Sequence, residues 1–530
     1  MPNEALVVAH LSDFPDGTMR QVELDGAKIL LVRRGGDVFA LQGTCPHAGG
    51  PLAEGVLIGD RVVCPWHKAE FCVVTGACTQ PPAVDGLARI PVGLRDGEVL
   101  LAPEPPVHVE PGLPTDHDPR RFVIVGGGAA GAVAAQTLRA EGFAGAIVMI
   151  DPEGELPYDR TLLSKSALSG AEAGEKSPLQ DEAFYRRHSI ERMNGRARML
   201  DPATRRILLE DGTELTYDAA LIATGGTPIR PEFPGHDLQN VFLLRSKADA
   251  RHLLDAAVPG HRAVVVGASF IGMEVAASLR ERGLAVTVVA DQGTPFEPQL
   301  GAQIGAIFRK MHEAEGIAFR LNRRVEKLTG EGAVAGVELT GGECLEADLV
   351  VVGIGVRPET GFLKDVPLRD DGGVTVDAGL RLADGLYAAG DIAAFPLQGD
   401  GPSVRVEHWR VAEQHGALAA RNMLGADLRF DAVPYFWTIQ FMKQLDYVGH
   451  GAGTDDLIIR GDVEEPAFIA YYRREGRVVA AAGWSHDQDM AALITLMGRK
   501  RDWTVDELHP PGSCPAEVLA ARRTTLDRPA

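Results

Sequence analysis

The sequence predicts a multidomain chain: an all-β domain first, then two α/β nucleotide-binding domains, then an α+β domain. Three observations predict it. The first hundred residues alternate around tight turns, as in "VELDGAKILLVRRGGDVFAL". A strand–glycine turn–helix unit, "RRFVIVGGGAAGAVAAQTLRAEGFAGAIVMID", recurs 141 positions later as "HRAVVVGASFIGMEVAASLRERGLAVTVVAD", a duplicated βαβ unit rather than a solenoid repeat. From Asp431 onward, "VPYFWTIQFMKQLDYVGHG" and "EPAFIAYYRREGRVVAAAGW" return to strand pairing, and helical "DMAALITLMGRK" follows.

Bulk properties bound the function. A length of 530 residues suits about three to four domains. The formal charge of −20 argues against nucleic acid or an anionic membrane as the main partner, because both favour a basic surface. The start, "MPNEALVVAHLSDF", shows no basic segment leading into an apolar one, so no secretory signal is expected. The longest apolar run, around "ADLVVVGIGV", is short for a membrane span and reads as a buried strand. Six cysteines in this length do not make a disulfide framework, and a cytoplasmic location is expected.

Residues 1–102 form the all-β domain, with Asp-Gly and Gly-Gly turns in its first half and a second hairpin, "LARIPVGLRDGEVLL", turning near Arg95 to Gly97. Within it, "TCPHAGGPLAEGVLIGDRVVCPWHKAEF" carries two couples, Cys45-x-His47 and Cys64-x-x-His67, with 16 residues between them. Thiolates and imidazoles both bind zinc and iron. Four such ligands suit a closed tetrahedral zinc site. They also suit a two-iron cluster in which both cysteines hold one iron and both histidines the other, each loop presenting one sulfur and one nitrogen. Zinc sites usually pair like with like, so the mixed couples favour the cluster. Residues 103–119 are proline-rich, at 103, 105, 106, 111, 114 and 119, and read as a stiff spacer in which His108 and His117 are solvated.

Next comes Gly126-x-Gly128-x-x-Gly131, after the strand "FVIV" and opening a helix. The first glycine permits the turn, the second lets backbone approach a pyrophosphate, and the third lets helix pack on strand. Asp151 ends the following strand, 20 residues past Gly131, where a carboxylate can bind ribose hydroxyls. With strand, helix and acid in order, this is a Rossmann-like dinucleotide motif. The second copy reads Gly267-x-Ser269-x-x-Gly272; serine replaces the middle glycine, and the acid, Asp291, follows the strand by one residue. No arginine stands there to meet a 2′-phosphate, which favours NADH.

Two resemblances follow from these motifs. "CPHAGGPLAEG" with "CPWHKAEFCVVTGACTQPP" resembles a Rieske [2Fe–2S] domain of the ferredoxin type. It implies that Cys45, His47, Cys64 and His67 are the cluster ligands. Respiratory members carry an extra cysteine in each loop. "HAGG" and "PWHKA" have none, which implies a low-potential cluster. Cys72 and Cys78, just beyond, read as small buried thiols rather than a redox pair.

Residues 120 to about 480 resemble the FAD-dependent pyridine nucleotide oxidoreductases, in the branch of ferredoxin reductases and apoptosis-inducing-factor-like flavoproteins. The resemblance implies that Arg160 and Lys165 of "LPYDRTLLSK" contact FAD, Lys165 near N5; that Thr224 and Gly225 of "LIATGG" lie near FAD; and that Glu274 of "FIGMEVA" meets the nicotinamide amide. "VGIGVRPET", with Gly355, closes the NAD domain, and Gly390 and Asp391 of "GLYAAGDIAAF" bind the ribityl or pyrophosphate part of FAD. Glu407, His408 and Trp409 of "VEHWRVAEQHG" and Trp437 of "PYFWT" are expected beside the isoalloxazine, with His408 structural rather than a proton donor. Lys165, Glu274, Trp409 and Trp437 are the expected catalytic set. No cysteine pair follows "LPYDRTLLSK", and Cys344 and Cys514 are isolated, so the flavin is not expected to reduce a protein disulfide.

The expected division is a Rieske domain at 1–102, a linker at 103–119, a discontinuous FAD domain at 120–245 and 376–430, an NAD(H) domain at 246–375 and a C-terminal domain at 431–530. The expected activity carries electrons from NADH through FAD to the Rieske cluster and on to an oxygenase, a carrier protein, a quinone or dioxygen. Two other readings are an NADH oxidase or quinone reductase with an accessory Rieske domain, and a redox sensor. A homodimer is allowed.

Overall fold

The computed structural model describes residues 6–101, 117–169, 178–499 and 502–522. The spacer expected at 103–119, His108 included, lies outside the described residues except for 117–119, where His117 is exposed.

The N-terminal domain is antiparallel throughout. One four-stranded sheet runs Met19–Leu24, Ala27–Arg34, Asp37–Gln42 and Arg89–Ile90, and a second runs Val56–Ile58, Arg61–Val63, Glu70–Cys72 and Cys78–Gln80. A three-stranded sheet of Leu6–His10, Glu98–Leu101 and Val92–Arg95 completes it. The turns fall where expected: Asp25 and Gly26, and Asp96 and Gly97, have positive φ, as tight hairpins need.

Two parallel sheets follow. The first has the order Ile190–Asn194, Ala146–Asp151, Arg121–Val125, Ala219–Ile222, Leu386–Ala388, Arg381–Ala383, parallel except at the last pair. Its fifth strand arrives only after the whole second sheet has been built. That second sheet is all parallel: Val241–Phe242, Leu349–Val352, Arg262–Val266, Ala285–Ala290, Ala318–Leu321. The central strands are runs of valine, leucine and isoleucine because helices or other layers cover both faces. The duplication extends beyond the βαβ unit. Each sheet's strand Ala219–Ile222 or Leu349–Val352 is preceded by a three-stranded antiparallel insert, at Ala197–Thr216 and Val325–Glu346 respectively.

Helix α1 (Ala129–Ala140) follows the first glycine turn and α2 (Phe270–Glu281) the second. Helix α3 (Trp409–Met423) crosses α1 closely because Gly416 faces it; a Cβ there would lie 2.1 Å from the Ala130 carbonyl oxygen.

The C-terminal domain is a five-stranded antiparallel sheet, Tyr435–Gln440, Lys443–Gly449, Arg477–Trp484, Ala467–Arg474, Asp456–Asp462, covered by helix α4 (Asp487–Arg499). The C-terminal tail contains a helix at Pro515–Ala521, with Pro515 in its first turn and a Cys514–Glu517 capping box. The first and last domains share a core. Val56, Ile58 and Val63 pack with Tyr435, Val448, Met490 and Ile494, each such side chain contributing roughly 1.5–3 kcal/mol when fully buried.

Candidate active site and cluster site

At the end of Arg121–Val125 the chain turns at Gly126, whose φ is +116°, and enters α1. A Cβ on Gly126 would lie 2.2 Å from the Ala223 carbonyl oxygen, and one on Gly131 would lie 1.9 Å from that of Gly126. Gly128 faces open space with nothing within 4 Å. The first and third glycines are therefore required by packing, and the second leaves room for a phosphate. Asp151 accepts hydrogen bonds from the Gly127 amide at 2.8 Å and the Glu153 amide at 2.9 Å, which fixes its carboxylate at the lip.

A cavity of about 220 Å³ opens in front of the α1 N-terminus. Of the residues expected at FAD, Gly126, Gly128, Asp151, Arg160, Thr224, Gly225, Gly390, Asp391, Glu407 and Trp409 line it; Gly131, Lys165 and His408 do not. A smaller cavity of about 90 Å³ continues past Asp151 between Glu155 and Arg192. Arg192 and Arg245 are lining residues the sequence did not signal. Arg245 stands 3.8 Å from Asp391, and its carbonyl accepts from Arg160. Thr224 donates to the Glu359 carbonyl at 2.6 Å and pins the end of its strand. The lining glycines, the helix N-terminus and the Asp151 carboxylate at the lip fit an FAD.

The second turn repeats the construction. Gly267 has φ +109°, and a Cβ on Gly272 would lie 2.2 Å from its carbonyl oxygen. Ser269 donates to the Gly353 carbonyl at 3.1 Å, so its small side chain folds back. Gly355, φ +112°, lies in the loop after Leu349–Val352. Asp291 is exposed just beyond Ala285–Ala290. The Arg323 backbone passes this edge, its amide bonding to the Ala290 carbonyl at 3.0 Å, while its guanidinium donates to the Asn322 carbonyl at 3.2 Å.

Between these sites Glu274 is buried at 3% exposure and accepts from Lys165 Nζ at 2.9 Å, Ser164 at 2.5 Å and Thr438 at 2.7 Å. One carboxylate thus joins the segment expected at the flavin, helix α2 and the C-terminal sheet. The His408 ring lies 4.5 Å from that of Phe436, tilted at 51°, and burial pushes its pKa down to about 3, so the ring is neutral at pH 7. Glu407 is tied to Arg405. Trp409 begins α3 and lines the large cavity. Trp437, expected beside the isoalloxazine, does not line that cavity. Its ring lies 4.5 Å from that of His67 and 6.0 Å from that of His47.

The four expected ligands come together at the tips of two loops. Cys45 and Cys64 are both buried and belong to the same core cluster of the domain. His47 and His67 point their Nδ1 atoms at each other across 3.1 Å, with rings at 89°. His67 Nε2 is buried and has no partner among the described residues. A sulfur pair and a nitrogen pair are thus segregated. Two irons with one pair each fit this donor set. A Cβ on Gly50 would lie 2.8 Å from Cys64 Sγ, so the loop passes close over the sulfurs. Cys78 donates to the Gln80 and Ala83 carbonyls, and burial pushes its thiol up to about 12, so it is an inert thiol at neutral pH.

Comparison with known proteins agrees with this geometry. Residues 120–416 match the pyridine nucleotide-disulphide oxidoreductases, residues 4–91 the Rieske [2Fe-2S] domain and residues 435–513 the reductase C-terminal domain. The chain is 37% identical to apoptosis-inducing factor 3 of Mus musculus over 524 residues, covering 95% of this chain and 86% of that one. It is 37% identical over 390 residues to the anthranilate 1,2-dioxygenase system ferredoxin--NAD(+) reductase component of Burkholderia cepacia, covering 71% of this chain and 93% of that one. The ferredoxin reductase for the CYP199A2 system from Rhodopseudomonas palustris superposes with a TM-score of 0.72 at 30% identity, covering 76% of this chain and 99% of that one. The chain belongs to the pyridine nucleotide-disulphide oxidoreductase family, as a Rieske-bearing oxidoreductase that uses FAD, NAD(P)H and a [2Fe–2S] cluster.

Proposed function

We propose that NADH delivers electrons through FAD to the chain's own Rieske site and from there to a separate one-electron acceptor, either a carrier protein or an oxygenase. FAD supplies the exchange between a hydride donor and one-electron carriers, and the cluster supplies a one-electron site. The observation that carries the reading is the packing of Trp437 against His67 at 4.5 Å, one residue from Thr438, which holds Glu274 at 2.7 Å. The cluster loops thus abut the element that anchors the Lys165–Glu274 pair. Relatives named as ferredoxin--NAD(+) reductases support an iron–sulfur acceptor, and the dioxygenase systems in both of those names support an oxygenase as acceptor.

In this reading the Gly126, Gly128 and Gly131 turn and Asp151 hold the FAD diphosphate and ribose, with Arg160, Thr224, Gly225, Gly390, Asp391, Glu407 and Trp409 around the rest. Gly267, Ser269, Gly272, Asp291 and Gly355 hold the nicotinamide nucleotide. Glu274 orients Lys165, and Lys165 places positive charge where the reduced flavin gains negative charge. Cys45, Cys64, His47 and His67 hold the irons. The exposed Asp291 carboxylate favours NADH, since it would repel a 2′-phosphate. The proposed domain plan keeps the sequence division at 102, 119 and 430 but moves the other two boundaries earlier than 245 and 375, because Val241–Phe242 pairs into the second sheet and Val374–Thr375 pairs with Ala393–Pro396.

No helix among the described residues is long and apolar enough to cross a membrane. All six cysteines are free, which supports a cytoplasmic setting. The relay needs one chain only, so a homodimer is not required by it.

Anaerobic titration with NADH tests the reading. Flavin absorbance and the cluster's visible circular dichroism should both change in the intact chain. Cys64→Ala should lose the second change and keep the first. A cluster-free variant that still reduces the final acceptor at the full rate would overturn it.

A further inference from the structure

Lys68 follows the ligand position His67 and has φ +60°, a conformation that long side chains rarely adopt. Its ammonium group is wholly buried and pairs at 2.6 Å with Asp446, which is 2% exposed and lies 378 residues away in the C-terminal sheet. The same ammonium donates to the Asp487 carbonyl at 3.2 Å. The other Asp446 oxygen accepts from Tyr435 at 2.8 Å and Gln444 at 2.7 Å. Those two side chains also reach the Trp66 carbonyl, at 2.9 and 3.1 Å. Arg410, buried on α3, donates to the Lys68 carbonyl at 3.0 Å and to the Pro81 carbonyl at 2.8 Å.

Both the side chain and the carbonyl of Lys68 are therefore gripped by the reductase half. Around this polar point lies the apolar seam of Val56, Ile58 and Val63 against the C-terminal sheet and α4. Apolar contact alone would hold the two halves together without fixing where they meet. A buried ion pair has one satisfactory geometry, because a misplaced lysine or aspartate is left charged and unpaired. The residue so fixed is the one adjoining His67, whose ring meets Trp437.

We propose that the Lys68–Asp446 pair is a docking key that locks the cluster-bearing domain onto the reductase in one register, with the His67 edge held against Trp437. The two domains then act as one rigid unit, and no swing of the small domain precedes each transfer. Lys68, Asp446 and Arg410 are positioning residues in this scheme and touch no reacting atom. The rate arm of the test rests on the functional reading above; the shape arm does not.

The test uses the full chain with both cofactors bound. Asp446→Asn removes the key from the reductase side and leaves both ligand loops unaltered in sequence. It should slow cluster reduction by NADH about tenfold or more, leave the flavin-bleaching phase within about twofold, and raise the radius of gyration in small-angle scattering. Unchanged cluster circular dichroism would show that the slowing is not cluster loss. Lys68→Met should behave alike, and Lys68→Met/Asp446→Asn should recover much of the rate and compactness, because no lone charge stays buried. Should Asp446→Asn not fold, Arg410→Gln carries the same measurements from a second contact. Single variants with wild-type rates and wild-type scattering would overturn the proposal, as would a double variant no better than either single one. If NADH fails to reduce the cluster in the unaltered chain, the functional reading falls, and the scattering comparison still decides whether the lock exists.

Discussion

The Trp437 indole rests 4.5 Å from the His67 imidazole, tilted at 48°, and 6.0 Å from the His47 imidazole, so one aromatic ring of the reductase meets both imidazoles proposed as cluster ligands. Removing it should open a gap between the reductase and the cluster ligands. Trp437→Ala should slow NADH-driven cluster reduction about tenfold or more, whereas Trp437→Phe, which keeps a ring in contact, should stay within about threefold of the parent. Stopped-flow traces at a flavin and a cluster wavelength measure both steps; equal rates in the alanine variant would remove Trp437 from the path.

The two glycine turns make a paired prediction. Gly131→Ala drives a Cβ to 1.9 Å from the Gly126 carbonyl oxygen, and Gly272→Ala drives one to 2.2 Å from that of Gly267. Neither clash can be relieved by a rotamer change, because both involve backbone. Gly131→Ala should be purified without flavin. Gly272→Ala should keep its yellow colour but show a KM for NADH raised about tenfold or more. Flavin content by absorbance and a steady-state NADH series separate the two, and loss of flavin in both would assign the turns wrongly.

What the sequence made legible was local. The cluster couples, the glycine turns and Asp151 sit within short windows, and their chemistry depends on spacing that the chain itself enforces. The segment around Trp437 is legible, but nothing local says which face of Tyr435–Gln440 meets the first domain, so its contact with His67 is not. Lys68 and Asp446 were not legible at all: each reads as an ordinary surface charge until two domains bring them together. The Arg323 backbone reaches the Asp291 edge by the parallel pairing of strands, which skips from one segment to another. The helix Pro515–Ala521 carries a local signal, a Cys514–Glu517 capping box with proline in the first turn.

Glu274 offers a third prediction. It is the common acceptor for Lys165, Ser164 and Thr438, and it is almost fully buried. Glu274→Gln keeps a polar group for Ser164 and Thr438 but leaves Lys165 without its counter-charge. Breaking a buried pair from one side costs about 3–5 kcal/mol, and the 17% exposure of Lys165 puts this case toward the lower bound. Denaturant unfolding should show that loss, and flavin reduction by NADH should slow. Lys165→Met/Glu274→Gln should regain stability without regaining rate. A single variant as stable and as fast as the parent would show that the pair neither orients nor supports the site.

The last prediction concerns acid. His415 is fully buried on α3, accepts the Gly390 amide hydrogen through Nδ1 at 3.3 Å, and is pushed by burial down to about 3. His312 is likewise buried and is pushed down to about 4. An unfolded histidine titrates near 6.5. The folded state therefore refuses a proton that the unfolded state takes up, so the stabilisation is present above about pH 6.5 and lost as pH falls toward the folded values. Each such histidine contributes a slope of up to about 1.4 kcal/mol per pH unit in that window. Asp348, held at about 2 chiefly by its hydrogen bond from Arg262, has the same sign but acts only below about pH 4. Glu413 acts oppositely, because burial raises its carboxyl well above the usual carboxylate range. The decisive quantity is thus the difference in slope between parent and variant. His415→Gln offers Gly390 an oxygen acceptor and cannot titrate, so its denaturation midpoint should fall less steeply from pH 6.5 to 5. Because Gly390 lines the FAD cavity, acid should also release flavin from the parent before it does so from the variant. Parallel slopes for the two proteins would mean that His415 is protonated in the fold as readily as in the open chain.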